Sequence, residues 1–314
     1  MYENIAKNKA KTVFIIIGFL LFISIIGYAI GMYFDYRYGI NGGYSVIFMI
    51  FALAIAIVMS FASYYNSDKI VLRLSRAKPL SREGNPGVYY MVEGLSIAAG
   101  IPMPKIYTIE DRGMNAFATG RNPDKGVVVL TRGLIDNLND SELKGVISHE
   151  LSHIKNYDIL LGTIVGVLVG MITIISNIIL RSFIFGGGRR RSSRRSGGSV
   201  LSIVLLVFGL ILIILSPIIA TIIKLAISRN REFLADANGA LITRYPAGLS
   251  NALKKISTQS EVEIASNATA HLFIANPFGK KSKVMFKNLF NTHPPIEERI
   301  RRLNEMSLGV GVNN

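Results

Sequence analysis

The chain has 314 residues, room for one large or two modest domains; half are hydrophobic, and the mean hydropathy is +0.40. That is too apolar for an ordinary water-soluble protein and points to membrane segments. There is no cysteine, so disulfides and thiolate metal sites are excluded and any metal must be held by His, Asp and Glu. Much of the formal charge of +15 is local: residues 181–199 carry Arg181, Arg189, Arg190, Arg191, Arg194 and Arg195 and no acid. In a membrane protein such a tract faces anionic lipid, and no nucleic-acid recognition module accompanies it.

In chain order, four charge-free apolar stretches stand out: 12–34, 44–65, 159–180 and 200–223. Each is at or above the ~20 residues a helix needs to cross a bilayer. Tyr28, Tyr33, Tyr36, Tyr38 and Tyr44 gather near one end of the first pair, as an aromatic belt does at a membrane interface. The first stretch exceeds the ~7–15 residues of a signal-peptide core and no convincing small-x-small cleavage site closes it, so it reads as a retained anchor. These stretches divide the chain into an anchor (1–65), a polar block (66–158), a membrane hairpin with an arginine-rich loop (159–223, loop 181–199) and a second polar block (224–314).

The first polar block predicts a helix over 85–99, with Val88, Met91, Val92, Leu95 and Ile97 apolar and Gly100 as its stop. Residues 105–109 and 126–131 read as strands, and 115–119 as a further one. A helix follows, capped by Asp140 or Ser141 with Glu142 in its first turn. The last block ends in a helix over 294–306, where Ile296, Ile300 and Leu303 share a face.

The helix that starts near residue 140 carries His149-Glu150-Leu151-Ser152-His153. At 3.6 residues per turn, positions i and i+4 share a face, so both imidazoles can grip one ion while Glu150 stands beside them to take a proton from a metal-activated water. The chain has only four histidines, 149, 153, 271 and 293, which makes this spacing informative. A catalytic zinc site takes three protein ligands and leaves a position for water. Glu232 and Asp236 lie i, i+4 on a predicted helix after the fourth apolar stretch. Glu232 is placed to be the third ligand and Asp236 to orient a ligand imidazole. By spacing alone, the two acids read equally well as exposed partners of Arg229 and Arg231. Asp158 reads either as a group orienting a ligand or as a polar stop before the third apolar stretch.

Four motifs together resemble the HtpX-type membrane metallopeptidases, relatives of the Ste24 CAAX-processing proteases: Asn115-Ala116-Phe117-Ala118, His149 to His153 followed by Asn156-Tyr157-Asp158, Arg231 to Asp236, and Thr292-His293-Pro294-Pro295. The resemblance covers nearly the whole chain, including the order of the apolar stretches. It implies an α+β integral membrane protein, mostly helical, in which a zincin-like metallopeptidase domain with a small β-sheet joins about four transmembrane or membrane-embedded helices. It implies one Zn²⁺ per subunit on His149, His153 and Glu232, with Glu150 as catalytic base and His293 as a second donor to the developing oxyanion. His293 otherwise reads as a solvent-facing residue at the start of the last helix. Asn115, Ala116, Phe117 and Ala118 would line the cleft and take substrate backbone as an added strand; otherwise they are a plain core strand. His271 belongs to no motif and reads as structural or exposed. The implied activity is endoproteolysis of misfolded or damaged membrane proteins under stress. A CAAX-type prenyl-protein processing peptidase and a non-catalytic zinc-stabilised membrane adaptor are the alternatives; fewer apolar stretches than the Ste24 group and an intact Glu150 count against them.

A metal shared by His153 and Glu232 requires the third and fourth stretches to cross the bilayer twice or not at all. Lys7, Lys9 and Lys11 place the N-terminus in the cytoplasm, and two crossings return the catalytic block to that side of a bacterial plasma membrane. A spanning hairpin would then put the arginine tract outside, against the same rule, so a hairpin that stays embedded is equally open. The expected partners are the bilayer and unfolded or damaged proteins, not nucleic acid, and the sequence sets no oligomeric state.

Overall fold

The computed structural model describes residues 2–165, 229–266, 269–278 and 294–308. The third and fourth apolar stretches beyond residue 165, the arginine loop 181–199 and His293 lie outside the described residues.

The chain opens with two long helices, α1 (Tyr2–Tyr38) and α2 (Gly43–Leu74). The turn between them uses Gly39 and Gly42 at φ of 66° and 82°, a backbone region where glycine avoids the Cβ penalty. Gly27 and Gly31, four apart, let the helices press together. A Cβ at Gly27 would sit 2.6 Å from that of Ala52, and one at Gly31 would overlap the backbone of Tyr44 and Ser45. Outward, the pair shows large apolar side chains, Phe14 at 76% exposure and Val58 at 67% among them. Such faces suit lipid rather than water. Both helices run past their apolar stretches, 12–34 and 44–65, and these extra turns reach the polar block without a linker. Val71 and Leu72 at the end of α2 pack with Ile109, Phe117, Val129 and Phe273.

The block holds a four-stranded sheet of β1 (Lys78–Pro79), β2 (Lys105–Ile109), β3 (Ala116–Thr119) and β4 (Val127–Thr131), in the order β1-β2-β4-β3. β2 and β4 are parallel and the other pairs antiparallel, which leaves β3 at an edge. α3 (Pro86–Ala99) is capped by Asn85, whose side chain accepts from the Val88 N–H, and stops at Gly100 in the left-handed region. A short α4 (Arg132–Asn137) leads into α5 (Asp140–Lys155).

The cap of α5 is Asn139, one residue before the expected Asp140 or Ser141. Its side chain accepts from the Glu142 N–H at 3.0 Å while the Glu142 carboxylate accepts from the Asn139 N–H at 2.9 Å. This reciprocal pair needs partners three positions apart, as Asn139 and Glu142 are. After the undescribed stretch come α6 (Arg229–Thr243), α7 (Pro246–Ile256) and α8 (Ile296–Ser307), the last capped at Pro295. α5 lies between the sheet and α6–α7, burying Val146, Ile147, Leu151 and Ile154 against Leu249, Leu253 and Leu303. Being central, it can present its other face to the chain on several sides.

Candidate metal centre

The buried face of α5 carries His149 and His153 one turn apart, their Nε2 atoms 3.1 Å from each other. α6 crosses α5 at Gly239, where a Cβ would lie 3.0 Å from the His149 backbone nitrogen. This close approach brings Glu232, two turns earlier on α6, to the two rings. Its carboxylate oxygens lie 3.8 Å from His149 Nε2 and 3.5 Å from His153 Nε2. A tetrahedral ion with bonds of ~2.0–2.1 Å needs ligand atoms separated by ~3.3 Å. The three donor atoms, all within 4.8 Å of one another, match that need with small adjustments.

The outer partners of the rings sharpen the fit. His149 Nδ1 lies 2.9 Å from Asp236 Oδ1, and His153 Nδ1 lies 3.0 Å from Asp158 Oδ2. A neutral imidazole that donates from Nδ1 to a carboxylate has a lone pair on Nε2. With both rings neutral, two such lone pairs and a carboxylate converge on one point, an arrangement that suits a cation. Asp236 is itself held by Arg299, fully buried, whose Nη2 and Nε donate at 2.7 and 2.8 Å while Nη1 donates to the Ile274 carbonyl at 3.0 Å. Asp158 Oδ1 accepts from Asn8 of α1 at 2.7 Å and from Arg231 at 3.2 Å.

Burial and these neighbours set the protonation of the ion-free site. Burial pushes His149 down to about 4, against the pull of Asp236 and with the help of Arg299. Burial also opposes charge on His153, but Asp158, Glu232 and Glu150 outweigh it and hold that ring up to about 9. Glu150, 1% exposed, is raised to about 7 by burial, with Glu232 adding to the rise and His153 opposing it. Asp236 is lowered to about 2: burial resists, and Arg299 and His149 prevail. A carboxyl near 7 can take up and release a proton near neutral pH, as a general base must.

β3 passes over this helix. The Ala118 N–H faces the Glu150 carboxylate and favours its charged form, which sets the strand beside that side chain. All of Asn115 to Ala118 is buried. The Asn115 amide is committed to its own chain: it donates to the Ser260 and Ala275 carbonyls, both at 3.0 Å, and accepts from the Ala116 and Ala275 N–H groups. The outer edge of β3 is already occupied at Ala116, whose carbonyl accepts from the Ile274 N–H at 2.9 Å. Phe117 packs edge-on to Phe273. His271 is buried, with Nε2 at 2.9 Å from the Gly162 carbonyl, a structural place.

A family model described as peptidase family M48 matches residues 83–307. The chain belongs to peptidase family M48. A protease HtpX homolog of Dictyoglomus thermophilum is 45% identical over 307 residues, 97% of this chain and 94% of that one. Those of Thermoanaerobacter pseudethanolicus and Listeria monocytogenes serotype 4a are also 45% identical, over 310 and 312 residues, covering 98% of this chain and 98% and 100% of theirs. Among solved structures, Ste24p of S. mikatae is 20% identical with a TM-score of 0.46, covering 97% of this chain and 67% of the other. This M48 peptidase is thus a membrane metalloprotease of the HtpX type.

Two residues of the M48 peptidase's inner network escaped the sequence reading. Arg299 sits among Glu298, Arg301 and Arg302 and looks like one more surface charge. The readable sign was its position on the face of Ile296, Ile300 and Leu303. Asn8 carried no sign at all, because its partner lies 150 residues away. The catalytic block meets the anchor at cation–π contacts of Lys9 with Tyr157 at 4.8 Å and of Arg121 with Tyr65 at 4.9 Å and Tyr64 at 6.0 Å.

Proposed function

We propose that this M48 peptidase is an integral-membrane zinc endopeptidase that cleaves misfolded or damaged membrane proteins at the cytoplasmic face of a bacterial plasma membrane. His149, His153 and Glu232 hold one zinc per chain. The observation that carries this reading is the convergence of two Nε2 lone pairs and a carboxylate on one buried point, each ring fixed from behind by its own carboxylate. Cysteine-free oxygen and nitrogen donors with a catalytic acid alongside fit zinc in its hydrolytic role.

Bound zinc supplies a Lewis acid that lowers the pKa of water toward ~7 and polarises a peptide carbonyl. The chain's own groups do the rest. Glu150 takes the proton of the attacking water and hands it to the leaving amine; its raised pKa suits both transfers. Asp236 and Asp158 keep the ligand rings in one tautomer and orientation. The β3 edge beside Glu150 is at Ala118, whose carbonyl points the same way as that of Ala116 because residues two apart share an edge. An extended substrate adds there as a strand, with Ala116, Phe117 and Asn115 holding the edge in place behind it. By the family resemblance, His293 gives a second donor to the oxyanion. Substrate arrives as unfolded chain at the bilayer surface.

The test is zinc content and casein cleavage of detergent-purified full-length protein. Wild type should hold one zinc and cleave; Glu150→Gln should keep zinc and be inactive; Glu232→Ala should lose both. Full zinc affinity in Glu232→Ala would move the third ligand elsewhere and overturn the site.

A further inference from the structure

We propose that the membrane anchor is part of the metal centre: Asn8 of α1 is a positioning residue that holds His153 through Asp158. This rests on the reading of His153 as a zinc ligand.

Asn8 stands in the second turn of α1 and is buried. Its single amide nitrogen makes two bonds, 2.7 Å to Asp158 Oδ1 and 3.1 Å to the Asn156 carbonyl. Two acceptors facing one NH₂ fix the orientation of the amide and use both of its protons. The Asn156 carbonyl belongs to the turn that ends α5, where Tyr157 takes a φ of 60°, uncommon for a residue with a side chain. That turn throws Asp158 back toward His153, so that Oδ2 reaches Nδ1. Asn8 therefore braces both the backbone turn and the carboxylate that depends on it. Thr12, one turn on, bonds back to the Asn8 carbonyl within α1, and Lys9 covers Tyr157, so the adjacent positions Asn8 and Lys9 both contact the turn.

Removing the support of a metal-ligating histidine costs 10–100-fold in metal affinity or activity where it has been measured. Asp158 has a second donor in Arg231, from α6, but that bond is longer, at 3.2 Å, and does not touch the turn. A tilt or shift of α1 in the bilayer would reach Asp158 through Asn8 with no flexible linker between. The anchor is therefore a determinant of zinc retention.

The experiment uses the full chain in nanodiscs and reads zinc affinity by chelator competition, together with kcat and KM. Asn8→Leu keeps the side chain's bulk and removes both donors; it should weaken zinc binding about 10-fold and lower kcat with little change in KM. Asn8→Gln, which retains the donors, should restore part of the loss. The double variant Asn8→Leu/Asp158→Asn should be no weaker than Asp158→Asn alone, because both changes break one chain of contacts. Wild-type zinc affinity in Asn8→Leu, or fully additive losses in the double variant, would overturn the proposal. If Asn8→Leu does not fold, the Asn8→Gln variant with Asp158→Asn decides by the same additivity. A His153→Ala control separates the two readings: if it keeps wild-type zinc affinity, the ligand assignment fails rather than the role of Asn8.

Discussion

Arg299 and Asp236 form a buried ion pair directly behind His149, and a buried pair is dangerous to break from one side. Arg299→Met would leave the Asp236 carboxylate without its main partner in a desolvated place, so about 3–5 kcal/mol of stability should be lost in denaturant unfolding. Because Asp236 is depressed from 3.8 to about 2, its contribution is present above pH ~4 and fades as the pH falls toward 2. The variant should lose that acid-side slope; an unchanged slope would mean that the pair does not stabilise the fold. At the same scale, His153 is protonated below about 9 when no ion is bound, with Asp158, Glu232 and Glu150 around it and Arg231 behind Asp158. Zinc must displace that proton. Titration calorimetry in buffers of different ionisation heat should detect about one proton released per zinc near pH 7.5, with affinity rising up to ~10-fold per pH unit. A pH-independent affinity would contradict it. Glu150 shifts in the other direction: a bound cation favours its carboxylate, so the acidic limb of kcat/KM should lie below its ion-free value of about 7 and rise with pH.

Between elements, the site depends on how closely α6 can cross α5. Gly239 is the contact point, three residues past Asp236 on the same side of α6. Gly239→Val would press a branched side chain on the His149 backbone, pushing Glu232 and Asp236 away together. Zinc content should fall well below one per chain even though no ligand has changed. Full occupancy in that variant would show that the crossing is looser than its geometry implies. The sheet makes a comparable point. β3 is an edge strand, yet residues 273–275 cover its first half, and Asn115 rivets that cover in place. A strand over 115–119 was legible in the sequence. The cover was not, because it comes from a segment with no periodic pattern.

For the molecule as a whole, α1 and α2 bind the catalytic block to the bilayer by continuous helix, α1 alone extending ~55 Å at 1.5 Å per residue. Their exposed apolar faces should meet lipid. Since the chain has no cysteine, single cysteines at Leu21 and Val58 can carry spin labels without background. In nanodiscs both should collide with oxygen far more than with a water-soluble nickel reagent; the reverse order at either position would place it in water. A label at Asn251, exposed on α7, should show the aqueous pattern.

What the chain determines locally could be read from the residues alone. The i, i+4 spacing of His149 and His153 follows from helix geometry, and so does that of Glu232 and Asp236. The four apolar stretches follow from the length a bilayer demands, and two of them are the helices α1 and α2. The helix α3 and the strands β2 and β4 lie where their apolar patterns and turn residues put them, to within a residue. Tertiary structure decided everything that joins distant segments. Spacing could not tell Glu232 beside the rings from Glu232 as a surface charge; the crossing at Gly239 removed the exposed reading by burying it against both rings. Nor could it tell Arg299 from the arginines beside it, or Asn8 from any polar residue before a membrane segment. Their roles come from desolvation and from partners 63 and 150 residues away. Local pattern records the faces of a helix; which face is buried, and against what, is settled only when the helices pack.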